Sequence, residues 1–160
     1  MPVTTTTPRH NPWLALLGFV AVVAVVGLVG ALAATSAREI YARLNQPEWA
    51  PPAELFGPMW TVMYLLIAVA GWWYWRTDGE TSAYSAYGIG LLLNLLWTPL
   101  FFAGRSTMLA LLDIVALDFV VLVTIVLFAR RSRLAAGLLV PYVGWLLYAT
   151  ALNSAVVVLN

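Results

Sequence analysis

Long uncharged apolar runs alternate along the chain with short polar breaks. A helix needs roughly 20 apolar residues to cross a hydrocarbon core of about 30 Å. Five runs meet that length: Trp13 to Ala37, Phe56 to Trp75, Ser82 to Phe102, Thr107 to Ala129 and Leu134 to Leu159. Charge enters these runs only in the fourth, at Asp113 and Asp118. Backbone groups in hydrocarbon must be satisfied within their own segment, so runs of this kind are read as helices. The pattern predicts an all-α membrane protein, a single five-transmembrane-helix bundle over residues 13–160, behind a disordered tail over residues 1–12. The first run is longer than the apolar part of a secretory signal and further spans follow it, so it is expected to be retained.

The breaks are Arg38 to Leu55, Arg76 to Thr81, Ala103 to Ser106 and Arg130 to Arg133. Links this short predict antiparallel consecutive helices that pack as neighbours. The first link is long enough for structure of its own. Arg38 to Leu44 suits an amphipathic turn at the membrane surface, whereas Asn45 to Pro52, with Pro47, Pro51 and Pro52, must be non-helical. A long loop of this kind between spans reads as a lid or a binding loop. Five of the Arg residues (9, 76, 130, 131 and 133) fall on the N-terminal side and three (38, 43 and 105) on the other. By the positive-inside rule the N-terminus is expected in the cytoplasm.

Composition narrows the class. Of 160 residues, 62% are hydrophobic and 9% charged, against about 25% charged in soluble domains. The eight basic residues are all Arg and face seven acids, so no basic stripe exists to track a phosphate backbone and nucleic acid is excluded as a partner. There is no Cys, and the single His is His10, which removes thiolate chemistry and His-ligated metal sites. No nucleophile with a neighbouring base and no phosphate-cradling glycine loop is present, so hydrolysis and group transfer lack machinery.

Aromatic residues are the remaining resource, with eight Trp, seven Tyr and six Phe. Trp13, Trp72, Trp73 and Trp75 lie at helix ends, where indole rings settle at the headgroup level. Trp60, Trp97 and Trp145 instead fall within spans, beside Thr61 and Tyr64, Asn94 and Thr98, or Tyr142. Asn94 and Asn153 must meet across helices or point into a cavity, because an unpartnered amide in hydrocarbon costs several kcal/mol. Asp113 and Asp118 are about 140° apart around their helix and cannot form one carboxylate dyad. Asp113 is placed to reach Arg105 or water, and Asp118, near mid-span, must be protonated or paired. Pro58 suits a first helical turn, while Pro99 and Pro141 interrupt the third and fifth helices. Small residues four apart, Gly27 with Ala31 and Ala86 with Gly90, serve either packing within one bundle or a homodimer.

Three blocks carry a resemblance to a known family. They are Pro47-Glu48-Trp49-Ala50-Pro51-Pro52 followed by Phe56-Gly57-Pro58-Met59-Trp60-Thr61-Val62-Met63-Tyr64; Asn94-Leu95-Leu96-Trp97-Thr98-Pro99-Leu100-Phe101-Phe102; and Pro141-Tyr142-Val143-Gly144-Trp145 through Ala149, Leu152 and Asn153. With the five-span plan they cover nearly all of the chain beyond the tail. In these the chain resembles the TSPO/MBR family, the translocator and tryptophan-rich sensory proteins also called peripheral-type benzodiazepine receptors, in its bacterial form. The resemblance implies a five-helix bundle, often dimeric, with a pocket under the loop between helices one and two that takes porphyrins, sterols and isoquinoline or benzodiazepine ligands. By motif position Trp49 belongs to the loop lid, Trp60 to the pocket floor, Asn94 and Trp97 to the helix-three wall, and Trp145, Ala149 and Leu152 to helix five. Pro51, Phe56, Tyr64, Phe101, Tyr142 and Asn153, from the same blocks, complete the expected ligand-binding set. The residues after Asn153 lack the Tyr and Arg of the animal members' cholesterol motif, and Asp118 matches no family motif position.

The expected function is a membrane receptor or sensor for tetrapyrroles, porphyrin or haem. Two alternatives stand beside it. Some bacterial relatives degrade bound porphyrin in light, and the Trp residues held responsible match Trp60 and Trp145, which would then be catalytic; Asp118 motivates a transporter of porphyrin or a coupled proton. Haem as a permanent cofactor is disfavoured, since no His lies in a span, so a tetrapyrrole is expected as a visiting ligand.

Overall fold

The computed structural model describes residues 11–160. The expected tail therefore lies, through residue 10, outside the described residues, and His10 with it. Asn11 is the N-cap of the first helix, its side chain accepting from Trp13 N at 3.0 Å, and Pro12 occupies the first turn, where the missing N–H costs nothing.

Helix α1 spans Pro12–Ala33 and is followed by a short surface helix α2, Ala37–Arg43. A 3-10 turn, Ala53–Leu55, leads into α3, Phe56–Trp75; then come α4, Thr81–Thr98, and a π-helical turn, Pro99–Ala103. Helix α5 spans Thr107–Ala129, and the last span is divided into α6, Arg133–Leu138, and α7, Val140–Leu159. Among the described residues these elements make five helical segments long and apolar enough to cross a membrane. The chain is an integral, multi-pass, all-α membrane protein.

Two boundaries differ from the sequence reading, for physical reasons. The first span stops at Ala33 rather than Ala37: after the last helical bond, Ala34 N to Gly30 O, Ala37 N bonds to Ala34 O at 2.9 Å in a tight turn, which comes before Arg38 and Glu39 would enter hydrocarbon. The two interior prolines act at helix junctions. Pro99 opens the π-helical turn, and Pro141 sits in the first turn of α7, just past the break at Leu139. Its ring would clash with the Gly137 carbonyl in a continuous helix.

Around the bundle, α1 packs on α3 and α4, α3 on α6 and more lightly on α7, α6 and α7 on α5, and α5 on α4. The expectation that all consecutive spans are neighbours fails for α3 and α4. Their link, residues 76–80, can reach about 17 Å, more than one interhelical spacing of about 8–10 Å, and α1 takes the place between them. The pair touch through long side chains, Tyr87 hydroxyl donating to Ile67 O at 3.0 Å.

The two ends of the bundle pack differently. At the N-terminal end, Tyr74 and Phe128 are fully buried and stacked at 4.0 Å, with Tyr87 beside them at 5.9 Å. The rim of this end holds Trp13 stacked on Trp72 at 6.4 Å, Trp72 Nε1 donating to Pro12 O at 2.8 Å, and the Arg76 guanidinium over Trp72 and Trp73. That is the headgroup-level arrangement expected of an aromatic belt. Two of the small-residue positions have neighbours within the bundle: Gly27 faces the Tyr64 ring, and Gly90 faces Val120 and Val121. At the opposite end the helices part around a cavity.

Candidate functional site

The cavity has a volume of about 630 Å³, within the range of about 300–1,000 Å³ usual for small-molecule sites. One wall is α1, from Val20 to Ala34, with Gly27 and Gly30 letting the opposite face come close. Helix α3 contributes Phe56, Trp60, Thr61 and Tyr64; the end of α4 and its π-helical turn contribute Trp97, Thr98, Phe101 and Phe102; helix α7 contributes Trp145, Ala149, Leu152, Asn153 and Val156. The π-helical turn follows from Pro99, which cannot donate a hydrogen bond, and Gly104 N closes the wide turn onto Pro99 O at 2.7 Å. Phe101 and Phe102 both reach the cavity as a result.

Aromatic rings form a connected floor. Trp60 lies 5.5 Å from Tyr64, 6.5 Å from Tyr142 and 6.4 Å, edge to face, from Trp145. Trp145 is 6.1 Å from Phe56 and 5.5 Å from Tyr148, and its indole Nε1 is buried without a hydrogen-bond partner. Trp97 is held differently: its Nε1 donates to Asn153 Oδ1 at 3.3 Å, and Asn153 Nδ2 donates to Thr107 O at 2.9 Å. This chain ties α4, α7 and α5 together at the cavity wall.

Residues 38–55, of which Arg38, Tyr41 and Ala53 line the cavity, are clasped at several points. Tyr41 hydroxyl donates to Pro51 O at 3.2 Å, and Gln46 Nε2 donates to Tyr41 O. Asn45 and Asn160 exchange bonds of 2.9 and 3.0 Å, Tyr148 hydroxyl donates to Trp49 O at 3.2 Å, and Arg38 pairs with Glu54 at 3.1 Å. Burial first, and then the neighbouring Tyr148, push the Tyr41 hydroxyl above its ordinary pKa.

Of the residues singled out by sequence, Phe56, Trp60, Tyr64, Trp97, Phe101, Trp145, Ala149, Leu152 and Asn153 line the cavity. Four do not. Trp49 packs on Tyr148 at 5.7 Å and is 50% exposed, so it lies on the outside of the covering segment. Pro51 contributes its carbonyl to Tyr41. Asn94, expected on the helix-three wall, lies one layer behind it with Tyr142. Its Oδ1 accepts from Tyr64 at 3.1 Å and its Nδ2 donates to Tyr142 at 2.8 Å. Asn94 and Asn153 thus do not meet; each bridges its own set of helices. The α1 wall, Arg38 and Tyr41 also reach the cavity and were not among the residues singled out. On α1 the spacing of Gly27 and Ala31 was the available signal.

Both intramembrane acids are buried. Asp118 Oδ2 accepts from Thr150 at 2.8 Å while Oδ1 has no partner. Asp113 Oδ2 is likewise unpartnered, and the pairing of Asp113 with Arg105 considered from the sequence is not formed among the described residues. Neither acid lines the cavity.

A mostly apolar, aromatic-floored chamber of small-molecule size, bordered by a clasped interhelical segment, lies inside a five-span membrane helical bundle. The family model described as the TspO/MBR family matches residues 19–159, and the chain belongs to that family. It is 40% identical over 129 residues to the tryptophan-rich protein TspO of Archaeoglobus fulgidus, covering 79% of this chain and 84% of that one. With the tryptophan-rich protein TspO of Chlorobaculum tepidum it shares 35% identity, over 75% and 78% of the two chains. With the translocator protein of Sus scrofa it shares 34% over 91% and 89%. Membership supports a membrane receptor or sensor role of the family's kind.

Proposed function

We propose that this chain is a membrane receptor or sensor that takes a tetrapyrrole, porphyrin or haem, and related flat hydrophobic molecules, into the cavity beneath residues 38–55. The observation that carries the reading is the aromatic floor. Trp60, Trp145, Tyr64 and Phe56 converge on a chamber of about 630 Å³, and large flat π-systems are what such rings stack on. The polar groups on its walls are few, which suits an apolar ligand held by shape rather than by a dense hydrogen-bond code. Titration of the purified protein with protoporphyrin should quench tryptophan emission saturably, and Trp60→Phe together with Trp145→Phe should weaken binding about tenfold or more. Unchanged affinity in the double variant would remove the cavity from the reading.

A second reading, light-dependent breakdown of a bound porphyrin, is favoured by the edge-to-face contact of Trp60 and Trp145 at 6.4 Å, since an electron-rich indole pair beside an excited macrocycle can exchange an electron with it. Loss of the porphyrin absorption band under illumination, abolished in the same double variant, supports it; a band that survives illumination excludes it. The N-terminus is proposed to face the cytoplasm, because the Arg76 and Arg130-Arg131-Arg133 links share its side. Protease protection of an N-terminal tag in inverted vesicles would reverse that orientation.

A further inference from the structure

Among the described residues, Arg38 is the one charged residue lining the cavity. It stands on α2, and its guanidinium meets Glu54 Oε1 at 3.1 Å with both side chains largely exposed, 75% and 63%. An ion pair this wet contributes little to stability, so it is readily exchanged for another carboxylate. The guanidinium fork matches a carboxylate's two oxygens. The polarity of the site is thus graded, apolar and aromatic inside, with one cation at the rim where water still reaches.

Resting on the reading of the cavity as a tetrapyrrole site, we propose that Arg38 is a carboxylate clamp and that the cavity selects anionic amphiphiles, flat or elongated apolar bodies carrying a carboxylate at one edge. Glu54 is the clamp's internal occupant. A ligand carboxylate takes its place on Arg38 while the apolar body fills the chamber. Keeping the charge at the rim avoids the desolvation that a carboxylate would suffer deeper in the bundle. Because Arg38 and Glu54 join α2 to the 3-10 turn across the mouth, the same exchange loosens one clasp of the covering segment as the ligand seats.

The test compares protoporphyrin with its dimethyl ester, which has the same ring and no carboxylate, on the full chain in nanodiscs, read by tryptophan emission. The diacid should bind about three- to tenfold more tightly than the diester, the range expected for a charge-assisted hydrogen bond near the surface. Arg38→Gln should erase that preference, bringing the diacid down to the affinity of the diester in the same variant, while Glu54→Gln should enhance diacid binding about threefold. Oleic acid against oleyl alcohol, in the same three proteins, judges the clamp separately. If neither tetrapyrrole binds but oleic acid is preferred through Arg38, the tetrapyrrole reading fails and the clamp stands. If acid and neutral forms bind alike in both pairs, or Arg38→Gln weakens both forms equally, the clamp is overturned.

Discussion

The Tyr64 hydroxyl donates to Asn94 Oδ1 at 3.1 Å across the gap between two helices, α3 and α4, that do not otherwise pack closely. Asn94 Nδ2 passes the connection to the Tyr142 hydroxyl on α7 at 2.8 Å. A single amide thus holds three spans in register directly behind the cavity wall, with Asn94 and Tyr142 nearly inaccessible to solvent. Removing it leaves two phenol hydroxyls seeking partners in a dry interior. Asn94→Leu is expected to cost about 1–3 kcal/mol, measured as a lowered midpoint of thermal unfolding in detergent. It should also weaken ligand binding through Tyr64. An unchanged midpoint would mean that the three hydroxyl and amide groups find equivalent partners without it.

Close packing at the opposite end makes a contrast between two glycines. A Cβ on Gly79 would fall 2.1 Å from the Tyr74 ring, and that ring cannot retreat, being fully buried, stacked on Phe128 at 4.0 Å and bonded by Glu80 N at 3.1 Å. Gly79→Ala should therefore destabilise by about 1–3 kcal/mol. Gly88 lies inside α4 with nothing within 4 Å of its position for a Cβ. There, Ala should be neutral or stabilise by up to about 1 kcal/mol. Thermal unfolding of the two variants side by side checks both signs, and equal effects would refute the packing argument.

Asp118 lies midway along α5, anchored to Thr150 of α7 at 2.8 Å with its other oxygen unpartnered. An ionised acid at that depth costs about 2.5–3.5 kcal/mol. Asp118→Asn keeps the acceptor for Thr150 and removes the possibility of charge, so it should match or exceed the native stability, whereas Thr150→Val should lose about 1 kcal/mol. Both are read from unfolding midpoints. A marked loss of stability in Asp118→Asn would show that the carboxyl's own proton has a role that an amide cannot fill.

Hydropathy made the five spans legible because the bilayer imposes length and forbids charge, constraints written residue by residue. The order of packing was less legible. Nothing in Arg76 to Glu80 says that its short link steps over α1, since the reach of the link permits either neighbour. The cavity was visible through Trp60, Trp97 and Trp145, whose polar neighbours mark an inward face. The α1 wall was hidden because Val20, Val23 and Gly27 have the same apolar character as the lipid-facing Leu17, Val22 and Val25. In a membrane both faces of a helix are apolar, so periodicity loses its power to tell inside from outside. Trp49 and Asn94 stand off the cavity lining for a related reason: a motif position gives the neighbourhood of a side chain but not the direction it takes.

The covering segment should respond to alkaline pH through Tyr41. Its hydroxyl donates to Pro51 O at 3.2 Å, and burial, with Tyr148 nearby, raises its pKa above the ordinary phenol value of 10.0. The folded protein therefore holds this proton at pH values where the unfolded chain has begun to release it. The stabilising contribution is complete below about pH 10 and is lost as pH rises through the elevated folded value. Tyr41→Phe lacks both the bond and the titration. At pH 8 it should be less stable by about 1 kcal/mol, and between pH 9 and 11 the gap to the native protein should narrow, because only the native protein loses stability from this group. Other buried tyrosines titrate in both proteins and cancel in the difference. Unfolding midpoints that stay parallel over that interval would show that Tyr41 does not couple the clasp to pH.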